Sequence, residues 1–353
     1  MRRPAGNPLA AALVVLIAVA VSAVTGGCGE TRGSGKSLVR GVHLVRLPYA
    51  GSAAAWSPDG RRFASAGAGG LLLRDPDGRA RRTIAAPPLS GYFGPAAPIV
   101  WLDDGRRLAY LSERGGSRRK VLWATEISRT GGPPRQTSLD TRFAAGAWSP
   151  RDWPLAFLTG AYERNLQGRP VGPAAALWLL AGPGEEPRRL RPLPGTPWEP
   201  VQSPRGEELA FTTNNFHRGQ LWIVGLDGSP PRRLSRAGHI ARPAFSPDGR
   251  LLAFAAIPSW GDGRGPQLYV IPSHGGKRRL LAAESTVGGP EWSPDGHWIA
   301  YSNDHGEIRR VAPGGGPPET VAKIGERELV NGLHWSPDGR RLTYTAYEPQ
   351  VSD

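Results

Sequence analysis

Cysteine is nearly absent: Cys28 is the only one in 353 residues. No disulfide framework can form, so an unpaired thiol needs its own explanation. Histidine is sparse. His43, His217, His239, His274, His297, His305 and His334 make no pair at zinc-protease or zinc-finger spacing. No Gly-x-Ser-x-Gly elbow occurs, which removes the usual sign of an α/β-hydrolase nucleophile. Gly33-Ser34-Gly35-Lys36-Ser37 falls short of a phosphate loop, because Glu30 stands where the first glycine is needed. Asp75-Pro76-Asp77-Gly78 and Gly261-Asp262-Gly263 lack the carboxylates of a calcium cage. Nothing in these patterns calls for a cofactor or a metal. The one apolar run, Leu9 to Val24, has 16 residues. That is short for a membrane span and right for an export signal.

What the chain has in quantity is one short phrase, Trp-Ser-Pro-Asp-Gly. It is complete at Trp56–Gly60, Trp292–Gly296 and Trp335–Gly339, and Phe245–Gly249 differs only in its first residue. Worn copies begin at Trp101, Trp148 and Gln202. The seven first residues lie 45, 47, 54, 43, 47 and 43 positions apart. A period near this length marks a propeller, one blade per repeat. The phrase is a turn with a mechanism. Proline presets φ, aspartate suits the next place, and glycine accepts the left-handed conformation. A short apolar strand follows each turn, such as Leu252-Ala253-Phe254, and then a third strand, such as Gln267-Leu268-Tyr269. An Arg-rich fourth strand completes the unit, as at Pro231-Arg232-Arg233-Leu234.

Seven hairpins are followed by only six third strands, because little chain remains after Trp335. The expected fold is therefore all-β: a seven-bladed β-propeller of four-stranded antiparallel blades, with the last blade closed by N- and C-terminal strands. Val42–Leu47 is expected to pair with Leu342–Thr345. Closure removes the sheet edges that invite aggregation. Of the 12 Trp, five begin hairpin phrases and are expected to pack between blades.

These repeats resemble the WD40-like Pro-Asp repeats of TolB-type β-propellers, and similar repeats occur in the propeller domains of prolyl-oligopeptidase relatives. The resemblance covers about residues 38–353. It implies a propeller and protein–protein contact. The separate N-terminal domain typical of TolB has no counterpart here, and propellers host many functions.

The N-terminus reads as a lipoprotein signal peptide over 1–27, followed by a tether over 28–37. Val24-Thr25-Gly26-Gly27-Cys28-Gly29 resembles a bacterial lipobox, which implies lipidation at Cys28 and membrane attachment on the extracytoplasmic side. Thr25 departs from the usual Leu or Val. The net charge of +14 rests on arginine. Charged edge strands and a bias in the coding sequence account for it, and an anionic envelope polymer is a further partner class. The export signal argues against nucleic acid.

By topology the Ser-Pro-Asp-Gly hairpins share one end of the propeller, and the longer, dissimilar loops share the other. Binding residues gather on such loops. The candidate binding face comprises Tyr92, Phe93, Tyr162, Arg164, Trp198, Asn215, Phe216, His217, His239, Trp260, Asp262 and His305. Two readings remain open. One is a monomeric binding or scaffold module for an envelope protein. The other is a lyase or hydrolase acting on glycans or peptides at the central axis, which leaves no linear motif.

Overall fold

The computed structural model describes residues 36–47, 54–67, 70–84, 99–102, 105–113, 120–126, 135–136, 144–146, 155–159, 163–164, 170–171, 175–181, 185–215, 218–259, 264–284, 289–326 and 328–348. The described residues form six four-stranded sheets, one three-stranded sheet and one two-stranded ribbon, with no α-helix. Each four-stranded sheet takes its strands in chain order and pairs them antiparallel. The fourth sheet, for example, runs Pro197–Gln202, Glu208–Asn215, Arg218–Gly225 and Arg232–Ala237. The six expected third strands are all third strands.

The repeated phrase builds the same turn at Ser57, Ser246, Ser293 and Ser336. In the first, the Gly60 N–H donates to the Ser57 carbonyl at 2.9 Å, and Gly60 has φ +67°. Ser57 Oγ donates to Asp59 Oδ1 at 2.6 Å, and the Arg61 N–H reaches the same oxygen at 3.1 Å. Ser246–Asp248, Ser293–Asp295 and Ser336–Asp338 repeat the contact at 2.6, 2.5 and 2.5 Å. The serine hydrogen bond favours the charged carboxylate, so all four aspartates sit below their ordinary pKa, Asp295 at about 2.

Consecutive hairpins nest. A Cβ on Gly249 would stand 3.6 Å from Pro204, one on Gly296 3.7 Å from Pro247, and one on Gly339 3.8 Å from Pro294. The series runs on from the last phrase to the first, with Gly60 3.7 Å from Pro337 and Gly105 3.2 Å from Pro58. The first strand of the last sheet, Leu329–Trp335, also touches the first strand of the first sheet, Ala54–Trp56.

The core lies between sheets. Ala210, Leu221 and Ile223 of the fourth sheet pack on Ile240, Leu252, Phe254 and Tyr269 of the fifth. Three of the phrase tryptophans, Trp101, Trp292 and Trp335, are buried in these gaps as expected. Trp101 and Trp292 are buried and donate their indole N–H to the previous sheet, at Ala55 O (2.8 Å) and Ala244 O (3.0 Å).

The last sheet departs from the expectation in one respect. Its strands are Leu329–Trp335, Arg341–Tyr347 and the N-terminal His43–Leu47. The expected pairing is present, in the register His43↔Arg341 to Leu47↔Thr345, but it is parallel, and among the described residues the sheet has three strands, not four. The reason is directional. The segment comes from the sixth sheet, where the Leu38 N–H bonds Val321 O at 2.7 Å, and leads on to the first strand at Ala54. In every other sheet that connection is made by a strand parallel to the second.

Candidate functional site

First strands of consecutive sheets touch one another, Pro197–Gln202 against His239–Phe245 and that strand against Glu291–Trp292, so they lie side by side along one edge of the sheets. Three of them carry a bulge at the same register, between Trp198 and Val201, Ala241 and Ala244, and Asn331 and His334. Three residues before the phrase, the backbone turns left-handed in four successive sheets: Glu199 (φ 47°), Arg242 (φ 47°), Gly289 (φ 85°) and Gly332 (φ 58°). Glycine takes this conformation at no cost. A glutamate and an arginine hold it with strain of roughly 1–3 kcal/mol each, and each also precedes a proline, Pro200 and Pro243, which restricts it further.

The two side chains explain how the strain persists. Glu199 Oε2 accepts the Arg242 N–H at 2.6 Å, and its other oxygen stands 3.9 Å from Arg242 Nε. The Arg242 side chain then lies across Gly289, where a Cβ would stand 2.5 Å from Arg242 Cβ. A side chain at 289 would evict it. Glu199 keeps 19% of its side-chain surface, yet its carboxyl is enclosed. Burial raises its pKa, and Arg242 opposes that rise.

Next to this pair is Trp198, 40% exposed, two residues into its strand and so near the end opposite the hairpins. It was expected on one of the loops at that end, but the strand begins at Pro197. His239 likewise opens a first strand and is not in a loop, and burial lowers its pKa, favouring the neutral ring. His305 lies as expected in the turn after a second strand. It is exposed, with its N–H on Asn303 Oδ1 at 3.1 Å and its ring 3.6 Å from Asp304. Asn215 ends a second strand, where it pairs with Arg218 of the third, and so belongs to a strand and not to a loop. Arg164 belongs to the two-stranded ribbon Glu163–Arg164 with Pro170–Val171. Tyr92, Phe93, Tyr162, Phe216, His217, Trp260, Asp262 and Cys28 lie outside the described residues.

Sequence reasoning missed Glu199, Arg242 and Glu291. The signal for the first two was Glu-Pro, Arg-Pro and Gly-Pro at one register in consecutive repeats, at 199, 242 and 289. Glu291 directly precedes Trp292 in a first strand. Burial drives its pKa up to about 8, against the pull of the Trp335 N–H. Burial thus favours its protonated form. Among the described residues, no three of His, Cys, Asp and Glu converge to hold a metal ion.

No known family profile matches the chain. A Bacillus subtilis protein described as an uncharacterized peptidase, YuxL, is 27% identical over 198 residues, 44% of this chain and 28% of that protein. The match thus spans less than a third of the relative. Among solved structures, TolB from Acinetobacter baumannii is similar at 16% identity and TM-score 0.51, over 82% of this chain and 65% of that one. An oligogalacturonate lyase in complex with manganese reaches TM-score 0.61 at 14% identity, over 84% and 85%. The β-propeller domain of Cps50 (Swd1) from Myceliophteria thermophila reaches 0.54 at 15% identity, over 85% and 97%. At such identities the likeness is one of fold. The chain is a β-propeller similar to those of TolB and WD40 proteins.

Proposed function

We propose that this chain is an extracytoplasmic binding module, a seven-bladed propeller closed by its N-terminal strand and tied to the bacterial membrane by a lipid on Cys28. Its partner is an envelope protein, held at the end opposite the hairpins. Closure is supported by the nesting of Gly60 on Pro337, which continues the hairpin series from the last repeat into the first.

The observation that carries the binding reading is the exposure of Trp198. At the same register the other repeats have Ser52, Ala97, Ala144, Ala241, Gly288 and Asn331. One repeat thus replaces a small residue with a large ring and leaves it in solvent. Such a ring buries well against a partner at little entropic cost, and Trp is enriched among interface anchors. The hairpin end offers no comparable handle. At four of its hairpins the serine and aspartate satisfy one another in the same way.

The test is capture from detergent-solubilised envelope, followed by affinity measurement on what is captured. Trp198→Ala is expected to weaken binding by about 2 kcal/mol, roughly 30-fold. Arg61→Ala with Arg250→Ala, both exposed at the hairpin end, is expected to change it little. Equal melting temperatures show that Trp198→Ala has acted on the surface alone. If only the arginine pair releases the partner, the wrong face has been chosen. Turnover of an oligogalacturonate or a peptide by the purified chain would support the enzyme reading instead.

Anchoring has its own test. Cys28→Ala is expected to abolish labelling by a fatty-acid probe and to move the protein from the membrane fraction to the soluble one. A wild type that takes up no label removes the lipid from the proposal and leaves the propeller reading intact.

A further inference from the structure

Trp198 stands at the start of a bulge. Pairing passes from Trp198↔Thr212 to Val201↔Ala210, three steps on one strand against two on the other. Such a bulge leaves its extra residue out of the ladder and re-aims the side chains beside it. The residue after Trp198 is Glu199, left-handed at φ 47°, and Pro200 follows. Neither of the two is paired with the second strand.

Side chains hold that turn instead. Glu199 Oε2 accepts the Arg242 N–H at 2.6 Å, across the seam to the next sheet. The buried Thr212 hydroxyl, opposite Trp198, stands 3.4 Å from the Trp198 carbonyl and also bonds the Glu199 carboxyl. Arg242 in turn lies against Gly289, which has no side chain to block it. Three consecutive sheets are thereby joined at one level. Glycine would take the Glu199 conformation without strain, as Gly289 and Gly332 do at the same register. What a glycine could not do is reach Arg242 and Thr212. Strain held by surrounding contacts gathers at ligand clamps, and here it stands directly beside the exposed tryptophan.

We infer that Glu199 is a positioning residue for Trp198: with Thr212 and the Arg242 N–H it fixes the backbone that presents the ring, so a partner meets an anchor already in its docking pose. A ring held in advance loses less freedom on binding than one that is ordered only then. The inference rests on the docking reading for its purpose, but the positioning is measurable without a partner.

The test labels the full chain with fluorinated tryptophan and follows the Trp198 fluorine resonance, identified by its loss in Trp198→Phe. The wild type is expected to give one narrow line. Glu199→Gly relieves the strain and cuts the contact, so the line is expected to broaden or split while the melting temperature holds. Binding of the captured partner is expected to weaken about three- to tenfold, the range for ordering one side chain. Glu199→Gln keeps an acceptor for the Arg242 N–H and is expected to restore both the single line and the affinity. Thr212→Val, close in shape, is expected to broaden the same line and serves as a second route should Glu199→Gly fold poorly. A Trp198 line that stays single and narrow in both variants overturns the proposal. So does broadening shared equally by the other tryptophans, because the variants would then loosen the sheets in general. A broadened line with unchanged affinity overturns it too, since the positioning would serve no docking. Failure to capture any partner counts against the docking reading alone, and the fluorine spectrum still decides the positioning.

Discussion

Deleting residues 38–48 is expected to abolish the folded state, whereas deleting residues 29–36 is expected to leave the melting temperature unchanged. The segment supplies Val42, Leu44, Val45 and Leu47, which are 8, 7, 6 and 4% exposed. Fully burying an aliphatic side chain of this size is worth about 1.5–3 kcal/mol. Four together rival the total stability of an ordinary domain, about 5–15 kcal/mol. The loss is also spread over two contacts at once. Val42 and Leu44 leave the core of the last two sheets, and Val45 and Leu47 uncover Phe63 and Trp56 of the first. The strand Arg341–Tyr347 would then present a bare edge, which favours aggregation. Circular dichroism melts and size-exclusion profiles of the two deletions decide the matter. Equal melting of both would mean that the ring does not depend on its N-terminal strand.

The second large effect concerns pH. Glu291 has a folded-state pKa of about 8 against an ordinary 4.5, chiefly through burial. An acid whose pKa rises on folding binds its proton more tightly in the native state. Its contribution is intact below pH 4.5 and is lost as pH rises toward 8, because the unfolded chain releases the proton first. The full span corresponds to roughly 4–5 kcal/mol at most. Glu291→Gln keeps an acceptor for the Trp335 N–H and removes the titration. The variant and wild type are therefore expected to be equally stable near pH 4, with the variant ahead by several kcal/mol at pH 9. Denaturation at both pH values measures this directly. Taking the difference between the two proteins cancels other groups that titrate in the window, such as Glu199, Glu208 and His239. A difference that does not change with pH would place the Glu291 carboxyl in water.

The hairpins could be read from the sequence because their physics is local. Ser57, Pro58, Asp59 and Gly60 lie within hydrogen-bonding reach whatever the rest of the chain does, and the turn they form fixes the two flanking strands. The pairing of His43–Leu47 with Arg341–Thr345 was also legible, from a count of strands that did not close. Its parallel direction was not, because direction depends on where the chain enters from the sixth sheet and must leave for the first. The inner pair was hidden for a related reason. Glu199 and Arg242 stand 43 residues apart, and nothing in either neighbourhood says that two left-handed bulges will face each other across a seam. Glu291 reads as an ordinary polar residue beside a tryptophan until the next sheet closes over it. Local turn chemistry thus determined what each repeat is. Which charges are buried, strained or paired was decided only when the sheets packed, because desolvation and strain depend on neighbours that the sequence does not place side by side.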